Sequence, residues 1–361
     1  MTIILLVVAF ILILAGAELF TNGVEWLGRQ LGLGEGAVGS VLAAVGTALP
    51  ETMIPLVAIV FGAGSHSDAV GVGAILGAPF MLATLAMFVT GLAVTIRARS
   101  ARRSGPSAFG STPPDDLLRI DPAILGRDVG FFFVIYLAAI GVAFLPAELD
   151  LPRWIVAVIL IGAYVRYVSL HLGAEAPAAA DDLEPLRLRR ADRGGPAQPE
   201  PPRPRIVVGQ VLLALAGIVG GAIMFVGAVE TIARSVGLDE TLLSLVIAPI
   251  ATELPEKLNS VIWVGRGKDT LALGNITGAM VFQAAIPTSI ALLFASSQWS
   301  IGSGSWIAFA SAGVALASTA LIFVPMIRTG RLHGRGLLLG GVFYVIQLGL
   351  VGASLAGLVA A

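Results

Sequence analysis

The chain has 361 residues, 57% of them hydrophobic, with a mean hydropathy of +0.92. Its 22 Lys+Arg and 23 Asp+Glu amount to 12% of the chain, about half the ~25% usual in soluble domains. That polarity cannot cover a soluble surface of this size, which excludes a cytosolic enzyme, a nucleic-acid binder and a disordered chain; a net charge of −1 draws no polyanion, and zero cysteines exclude disulfides, thiolate metal sites and Cys nucleophiles.

What remains is an all-α polytopic membrane protein. A spanning helix takes ~20 apolar residues. Ten apolar runs reach that length, near 2–27, 36–62, 69–96, 128–147, 152–172, 206–233, 239–264, 270–295, 304–327 and 336–359. They are continuously apolar and do not alternate, which speaks for helices over a closed barrel. The first run has no basic stretch ahead of it and no small-residue cleavage site before Glu18, so it reads as a retained helix and not a signal peptide. Glu18, Asn22 and Glu25 fall at i, i+4 and i+7 and form one polar stripe, which either lines an ion path or marks the helix end. Trp154 and Trp299 stand beside span ends and read as interface anchors. His66, His171 and His333 lie in or near loops, too scattered for a metal triad.

Charge is concentrated in two segments. Ten charged residues lie from Arg97 to Asp128 and twelve from Glu175 to Arg205. The first segment reads as a solvated basic loop, or one that touches anionic lipid. The second, 173–205, is rich in Ala, Pro and Arg and reads as a disordered linker, too short for a folded domain. With ten spans, 19 of the 22 basic residues share one side, Arg153 and Arg234 lie opposite, and Lys257 sits within a span. The basic side is then cytoplasmic and both termini face outward.

The two halves repeat one another. Phe20–Glu51 lies on Phe225–Glu256 without a gap at an offset of 205. Glu25 meets Glu230, Glu35 meets Glu240, and Gly46-Thr47-Ala48-Leu49-Pro50-Glu51 meets Ala251-Thr252-Glu253-Leu254-Pro255-Glu256. Further on, the stretch Asp68–Gly77 meets Asp269–Gly278. Five spans per half is an odd number, so the second half enters from the opposite face. Inverted repeats of this kind place a transport site at the midplane between the halves. The expected architecture is ten transmembrane helices as two inverted five-helix repeats: 1–172, a cytoplasmic linker 173–205, and 206–361.

Glu51 and Glu256 stand out chemically. Each lies inside an apolar span, where a carboxylate costs several kcal/mol unless it faces a cavity, a cation or a partner. Each follows a proline, which cannot donate to the helix ladder and displaces a carbonyl one turn earlier. Carbonyls around Thr47 and Thr252 are thereby freed toward a ligand. Two carboxylates with carbonyl oxygens make a hard, oxygen-only site suited to Ca²⁺. The alternative is a pair of protonated, hydrogen-bonded glutamic acids. Glu253 and Lys257 are four apart, the spacing of a helical ion pair. They neutralise each other, or Lys257 acts as a tethered cation, or Glu253 accepts a coupling proton.

The two Thr-x-Leu-Pro-Glu motifs, with Asp269-Thr-Leu-Ala-Leu-Gly-Asn275-Ile-Thr-Gly278, resemble the paired repeats of the sodium/calcium exchanger family of calcium:cation antiporters. The resemblance implies alternating-access exchange of Ca²⁺ against another cation, Na⁺ by family, with Glu51 and Glu256 binding the ion and Thr47 and Thr252 offering backbone oxygens. It also implies that the first helices of the two halves move, with Asn275, Gln283 and Glu253 as lesser contributors. Against the family pattern, Ala48, Pro55, Ala74, Ala78 and Leu82 replace the expected hydroxyls and amides in the first half; in the second, Ser260 and Asn275 are kept while Glu253, Ala279 and Gln283 depart. That depletion weakens sodium coupling and opens two alternatives, an H⁺-coupled divalent-cation antiporter or a non-transporting protein on the same fold. An intramembrane enzyme needs an Asp pair, a Ser-His pair or a His-rich site, and the sequence offers none within the spans. No cofactor and no nucleic-acid partner is expected; the partners are inorganic cations and the lipid bilayer of a prokaryotic plasma membrane.

Overall fold

The computed structural model describes residues 2–31, 48–62, 65–103, 116–172, 184–189, 202–236, 260–261, 263–265, 267, 269–302 and 305–356. Within them the chain is helical, apart from one antiparallel bridge between Leu117 and His333. In order, the helices are α1 (Thr2–Gln30), α2 (Leu49–Leu56) with a π-helical turn Val57–Phe61, and α3 (Ser65–Met81). A second π-helical turn, Leu82–Ala86, joins α3 to α4 (Met87–Arg103). Then follow α5 (Pro122–Gly141), α6 (Asp150–Leu172), α7 (Pro204–Val236), α8 (Asp269–Phe294), α9 (Trp306–Thr329), α10 (Gly334–Leu337) and α11 (Leu339–Leu355).

Eight of the described helical stretches are long and apolar enough to cross a membrane, and they fall on eight of the ten expected runs. The run 36–62 is described from Ala48 onward, as α2 and its π-helical turn, and 239–264 lies outside the described residues except at its end. One boundary moves for a clear reason. The expected start of the fourth run was 128, but α5 begins at Pro122 because Asp121 caps it, its Oδ1 accepting from Ala123 N at 2.8 Å. Proline at the first helical position completes the signal. Asp128 is therefore not a loop charge; it sits in the second turn of α5, on that helix's buried face.

The helices sort into a core and a flank. The stretch of α3–α4 and the stretch of α8 are the most enclosed, each 83% buried. They pack on each other, α8 also against α5 and α6, and α3 against α9. Hydroxyls tie these contacts: Ser318 Oγ donates to Ala83 O at 2.6 Å and Ser289 Oγ to Ala157 O at 3.1 Å. Ile3, Ile4, Val7 and Ile11 on α1, and Ile155, Val158 and Ile159 on α6, are exposed, an outer face suited to hydrocarbon.

The flank is the α1–α7 pair, which keeps its own apolar clusters and meets the core through α2 and α3. The two helices interlock through glycine. A Cβ on Gly16 would stand 2.8 Å from Ile218 Cγ1, and one on Gly221 would stand 2.7 Å from Ile13 Cγ1. Small residues at such crossings let backbones approach, which is how helices associate without a hydrophobic drive.

Two expectations are corrected here, and one charge is placed. Trp299 is not an interface anchor: it is fully buried, its indole N–H donates to Ala139 O at 2.8 Å, and its ring meets Phe309 edge-on. Arg153 is the charge so placed. It is fully buried and donates to the carbonyls of Leu145, Pro146, Ala147, Leu149 and Trp299 at 2.7–3.3 Å, so it staples a loop to the base of α8. The linker is not disordered throughout. Residues 184–189 are built into the structure, with Leu186 2% exposed between Trp26 and Val207.

Candidate ion-binding site

The site is built outward from Glu51. Pro50 stands at the first positions of α2, where its missing N–H costs nothing. Glu51 follows in the first turn, at the end of the helix that favours a negative charge, and is 6% exposed. Pro55 lies one turn on and supplies no N–H to the carbonyl of Glu51. The helix then widens into the π-helical turn Val57–Phe61. Two prolines and a π-helical turn in one short segment mark an interrupted span of the kind that lines a site.

The carbonyl of Ala48 is the hinge of this arrangement. It accepts from Thr52 N at 3.1 Å, from Thr52 Oγ1 at 2.7 Å and from Gln283 Nε2 at 3.2 Å. The last bond joins the first-half motif to α8 of the second half. Its geometry also fixes the Gln283 amide, since a carbonyl accepts and so faces the NH₂ group. Gln283 Oε1 is consequently a buried acceptor with no hydrogen-bond partner among the described residues. A buried acceptor of that kind costs ~1–3 kcal/mol unless a donor or a cation meets it. Asn275, two turns earlier on α8, is fully buried as well. Ser260 is buried and donates to Ala272 O at 3.3 Å.

Of the residues singled out in the sequence, Glu51 and Gln283 are both buried, and Gln283 bonds the carbonyl of Ala48 that precedes Glu51's helix. Thr47, Thr252, Glu253, Glu256 and Lys257 lie outside the described residues. The apolar replacements in the first half are all enclosed: Ala48, Ala74, Ala78 and Leu82 are each under 5% exposed. Two residues of the polar stripe dock the linker: Asn22 Oδ1 accepts from Arg187 N at 2.9 Å and from Gln210 Nε2 at 3.0 Å, and Glu18 pairs with Arg187 at 2.9 Å. The side chain of Glu25 lies outside those described.

Two charged contacts brace the basic side. Asp269, at the head of α8, receives Arg97 through two bonds of 2.7 and 2.9 Å and Arg119 N at 2.9 Å, while Arg97 also donates to Val264 O. Asp116 takes Arg335 Nε at 2.8 Å and lies 3.4 Å from His333 Nδ1. The Arg335 guanidinium holds the Asp116 carboxyl well below the usual range, at about 2.

One cluster escaped the sequence reading. Asp128, fully buried on α5, accepts from Tyr167 Oη at 2.9 Å and Thr277 Oγ1 at 2.7 Å, with His171 Nε2 3.3 Å away. Tyr167 and His171 are at i and i+4 on α6, a legible spacing. Their meeting with α5 and α8 carries no signal along the chain.

The comparisons bear on this geometry. A family model described as sodium/calcium exchanger protein matches residues 1–173 and 206–351. The chain belongs to the sodium/calcium exchanger family. The match stops on either side of the linker and takes in both halves, and the family is one of transporters, not enzymes. A putative antiporter CaxA of Alkalimonas amylolytica is 26% identical over 335 residues, 91% of each chain. The uncharacterized membrane protein MJ0091 of Methanocaldococcus jannaschii is 24% identical over 277 residues, 75% of this chain and 74% of that one. Among solved structures, the H⁺/Ca²⁺ exchanger CAX superposes with a TM-score of 0.71 at 16% identity, covering 96% of this chain and 81% of its own. The sodium-calcium exchanger NCX_Mj superposes with a TM-score of 0.57 at 15% identity, covering 96% and 97%. These likenesses establish the exchanger fold.

Proposed function

We propose that this protein is a secondary antiporter that exchanges Ca²⁺ for another cation by alternating access. In this reading ten spans form two inverted five-helix repeats in a prokaryotic plasma membrane, with both termini outside. Glu51 and Glu256 hold the divalent ion. Backbone oxygens at Thr47 and Thr252, with Asn275, Gln283 and Glu253, complete its surroundings. The observation that carries it is the meeting of Glu51's helix with Gln283 at the carbonyl of Ala48, two halves joined at a buried, oxygen-rich point. Hard oxygen donors of this kind suit Ca²⁺.

We infer that the counter-cation is H⁺. A second monovalent metal ion needs its own oxygen ligands, and the enclosed Ala74, Ala78 and Leu82 offer no side-chain oxygen in the first half. The sodium-coupled reading is the second one, favoured by the family. Uptake of ⁴⁵Ca²⁺ into proteoliposomes, driven in parallel by outward H⁺ and Na⁺ gradients, separates the two. The expected result is uptake on the H⁺ gradient, abolished in Glu51→Gln. Uptake driven by Na⁺ alone overturns the coupling ion. A folded protein that takes up Ca²⁺ on neither gradient overturns the antiport reading.

A further inference from the structure

Pro287 interrupts the hydrogen-bond ladder of α8 at the residue that bridges the halves. A proline has no N–H to give the carbonyl one turn earlier, and its ring crowds that carbonyl. Here the carbonyl belongs to Gln283, whose side chain donates to Ala48 O. Gln283 is 1% exposed, on one of the two most enclosed stretches of the molecule, where an open carbonyl is costly. Thr288 closes it. This residue is fully buried, and its Oγ1 donates to Gln283 O at 3.1 Å.

The reach of that hydroxyl is unusual. Thr52, Thr84, Thr90 and Thr319 each donate to the carbonyl four residues earlier, the ordinary back-bond of a helical threonine. Thr288 passes over Ala284 and reaches back five residues, to the one carbonyl that Pro287 frees. Prolines also stand inside α2, α3 and α9, at Pro55, Pro79 and Pro325. Leu56, Phe80 and Met326 follow them, so among these helices only the proline of α8 has a hydroxyl beside it.

The contacts continue to the start of Glu51's helix. Gln283 Nε2 reaches Ala48 O at 3.2 Å. Ala48 is the N-cap of α2, and its carbonyl also accepts from Thr52 N and Oγ1, in the turn that holds Glu51. Beyond Thr288, Ser289 Oγ lies 3.1 Å from Ala157 O and seats the same stretch of α8 against α6. Gln283 is therefore held through its backbone as well as its side chain, and its Oε1 is left buried with no hydrogen-bond partner among the described residues.

We propose that Thr288 is a positioning residue for the cation site: by closing the carbonyl that Pro287 frees, it sets the Gln283 backbone so that the amide meets Ala48 O and Oε1 stays available to the cation. This rests on the reading above that Gln283 belongs to the surroundings of the Ca²⁺. The part Thr288 plays is indirect, because its one hydroxyl hydrogen is committed to Gln283 O. Valine in its place keeps the branched shape and puts a methyl where the hydroxyl was, which leaves Gln283 O unpaired. The turn then relaxes to pair it and carries the amide away from Ala48.

The test is a double-mutant cycle on the full-length protein in detergent, read by calorimetric titration with Ca²⁺ and by the melting temperature without it. Thr288→Val is made in wild type and in Gln283→Leu, with Thr288→Ser as the conservative variant. In wild type, Thr288→Val is expected to weaken Ca²⁺ binding about tenfold, the order of loss that an unpaired buried acceptor implies. Thr288→Ser, which keeps the hydroxyl, is expected to stay within about twofold of wild type. Gln283→Leu has no amide left to place, so Thr288→Val added to it is expected to change Ca²⁺ affinity less than about twofold while lowering the melting temperature as it does in wild type. Where Thr288→Val fails to fold, Thr288→Ala takes its place in the cycle. A structural Thr288 would lower the melting temperature alone, or weaken Ca²⁺ binding equally in both backgrounds, and either result overturns the proposal while leaving Gln283 in the site. Ca²⁺ affinity unchanged by Gln283→Leu overturns the reading of Gln283 and this role with it. Absence of Ca²⁺ binding to wild type overturns the calcium reading itself, and the role of Thr288 falls with it.

Discussion

Gln283 shows how one amide can do two jobs. Its NH₂ is committed to Ala48 O, which leaves its Oε1 buried with no hydrogen-bond partner among the described residues. Gln283→Leu removes both the bridge and the oxygen. The bridge alone is worth ~1 kcal/mol, so stability falls modestly. If Gln283 Oε1 serves the ion as proposed, Ca²⁺ uptake is expected to drop at least about tenfold, because one oxygen ligand is lost. Gln283→Glu keeps the oxygen and should retain uptake. Equal uptake by wild type and Gln283→Leu, at matched protein levels, would remove Gln283 from the site. Asp116 makes a separate prediction about pH. Its folded value is lowered to about 2 from 3.8, so its contribution is fully present above about pH 4 and is lost as pH falls toward about 2. The melting temperature of wild type should therefore fall more steeply over that window than that of Asp116→Asn. Parallel curves for the two proteins would contradict the assignment.

At the scale of elements, the linker segment is the main departure from expectation. Residues 184–189 are gripped from both flank helices. Trp26 Nε1 donates to Glu184 O at 2.9 Å and Leu188 N to Gln210 Oε1 at 2.8 Å. Gln210 Nε2 also reaches Leu19 O at 2.8 Å, so α1 and α7 are tied to each other as well as to the linker. Composition misled because Pro, Ala and Arg surround a single buried anchor, Leu186. Burial of one leucine contributes ~2 kcal/mol, enough to hold a short strap. Leu186→Asp should release it, and hydrogen exchange at the Arg187 and Leu188 amides should speed up by about 30-fold, the factor that 2 kcal/mol of local opening implies. Unchanged exchange there, measured by mass spectrometry, would mean the strap is held by its hydrogen bonds alone.

For the whole molecule, the two halves are also zipped together on the basic side. Leu118 N donates to Leu332 O at 2.9 Å and Gly334 N to Asp116 O at 2.7 Å, around the Leu117–His333 bridge. Paired residues in an antiparallel bridge lie ~4.5–5.5 Å apart, within disulfide range. The chain has no cysteine of its own, so Leu117→Cys with His333→Cys introduces the one possible pair. With a protease site inserted at Gly194–Gly195, cleavage of the oxidised protein should leave the halves joined until a reductant is added. Two separate fragments under oxidant, from a protein that still binds Ca²⁺, would show that these loops do not meet.

Membrane class, most span positions and the exchanger family were legible along the chain, because each depends on local quantities. Hydropathy needs ~20 neighbouring residues, and a Thr-x-Leu-Pro-Glu motif needs five. The N-cap that shifted α5 to Pro122 was legible too, in Asp121-Pro122, and its consequence for Asp128 went with it. What the chain could not reveal is which polar groups meet across helices. Asp128 and Thr277 are 149 positions apart, Ala48 and Gln283 235, and Asn22 and Arg187 165. Inside a bilayer every such group must find a partner, and helix packing alone chooses which one. The sequence by itself therefore determined that polar residues would be enclosed, and the tertiary structure decided which of them bridge the halves at Ala48, gather around Asp128, staple a loop or dock the linker.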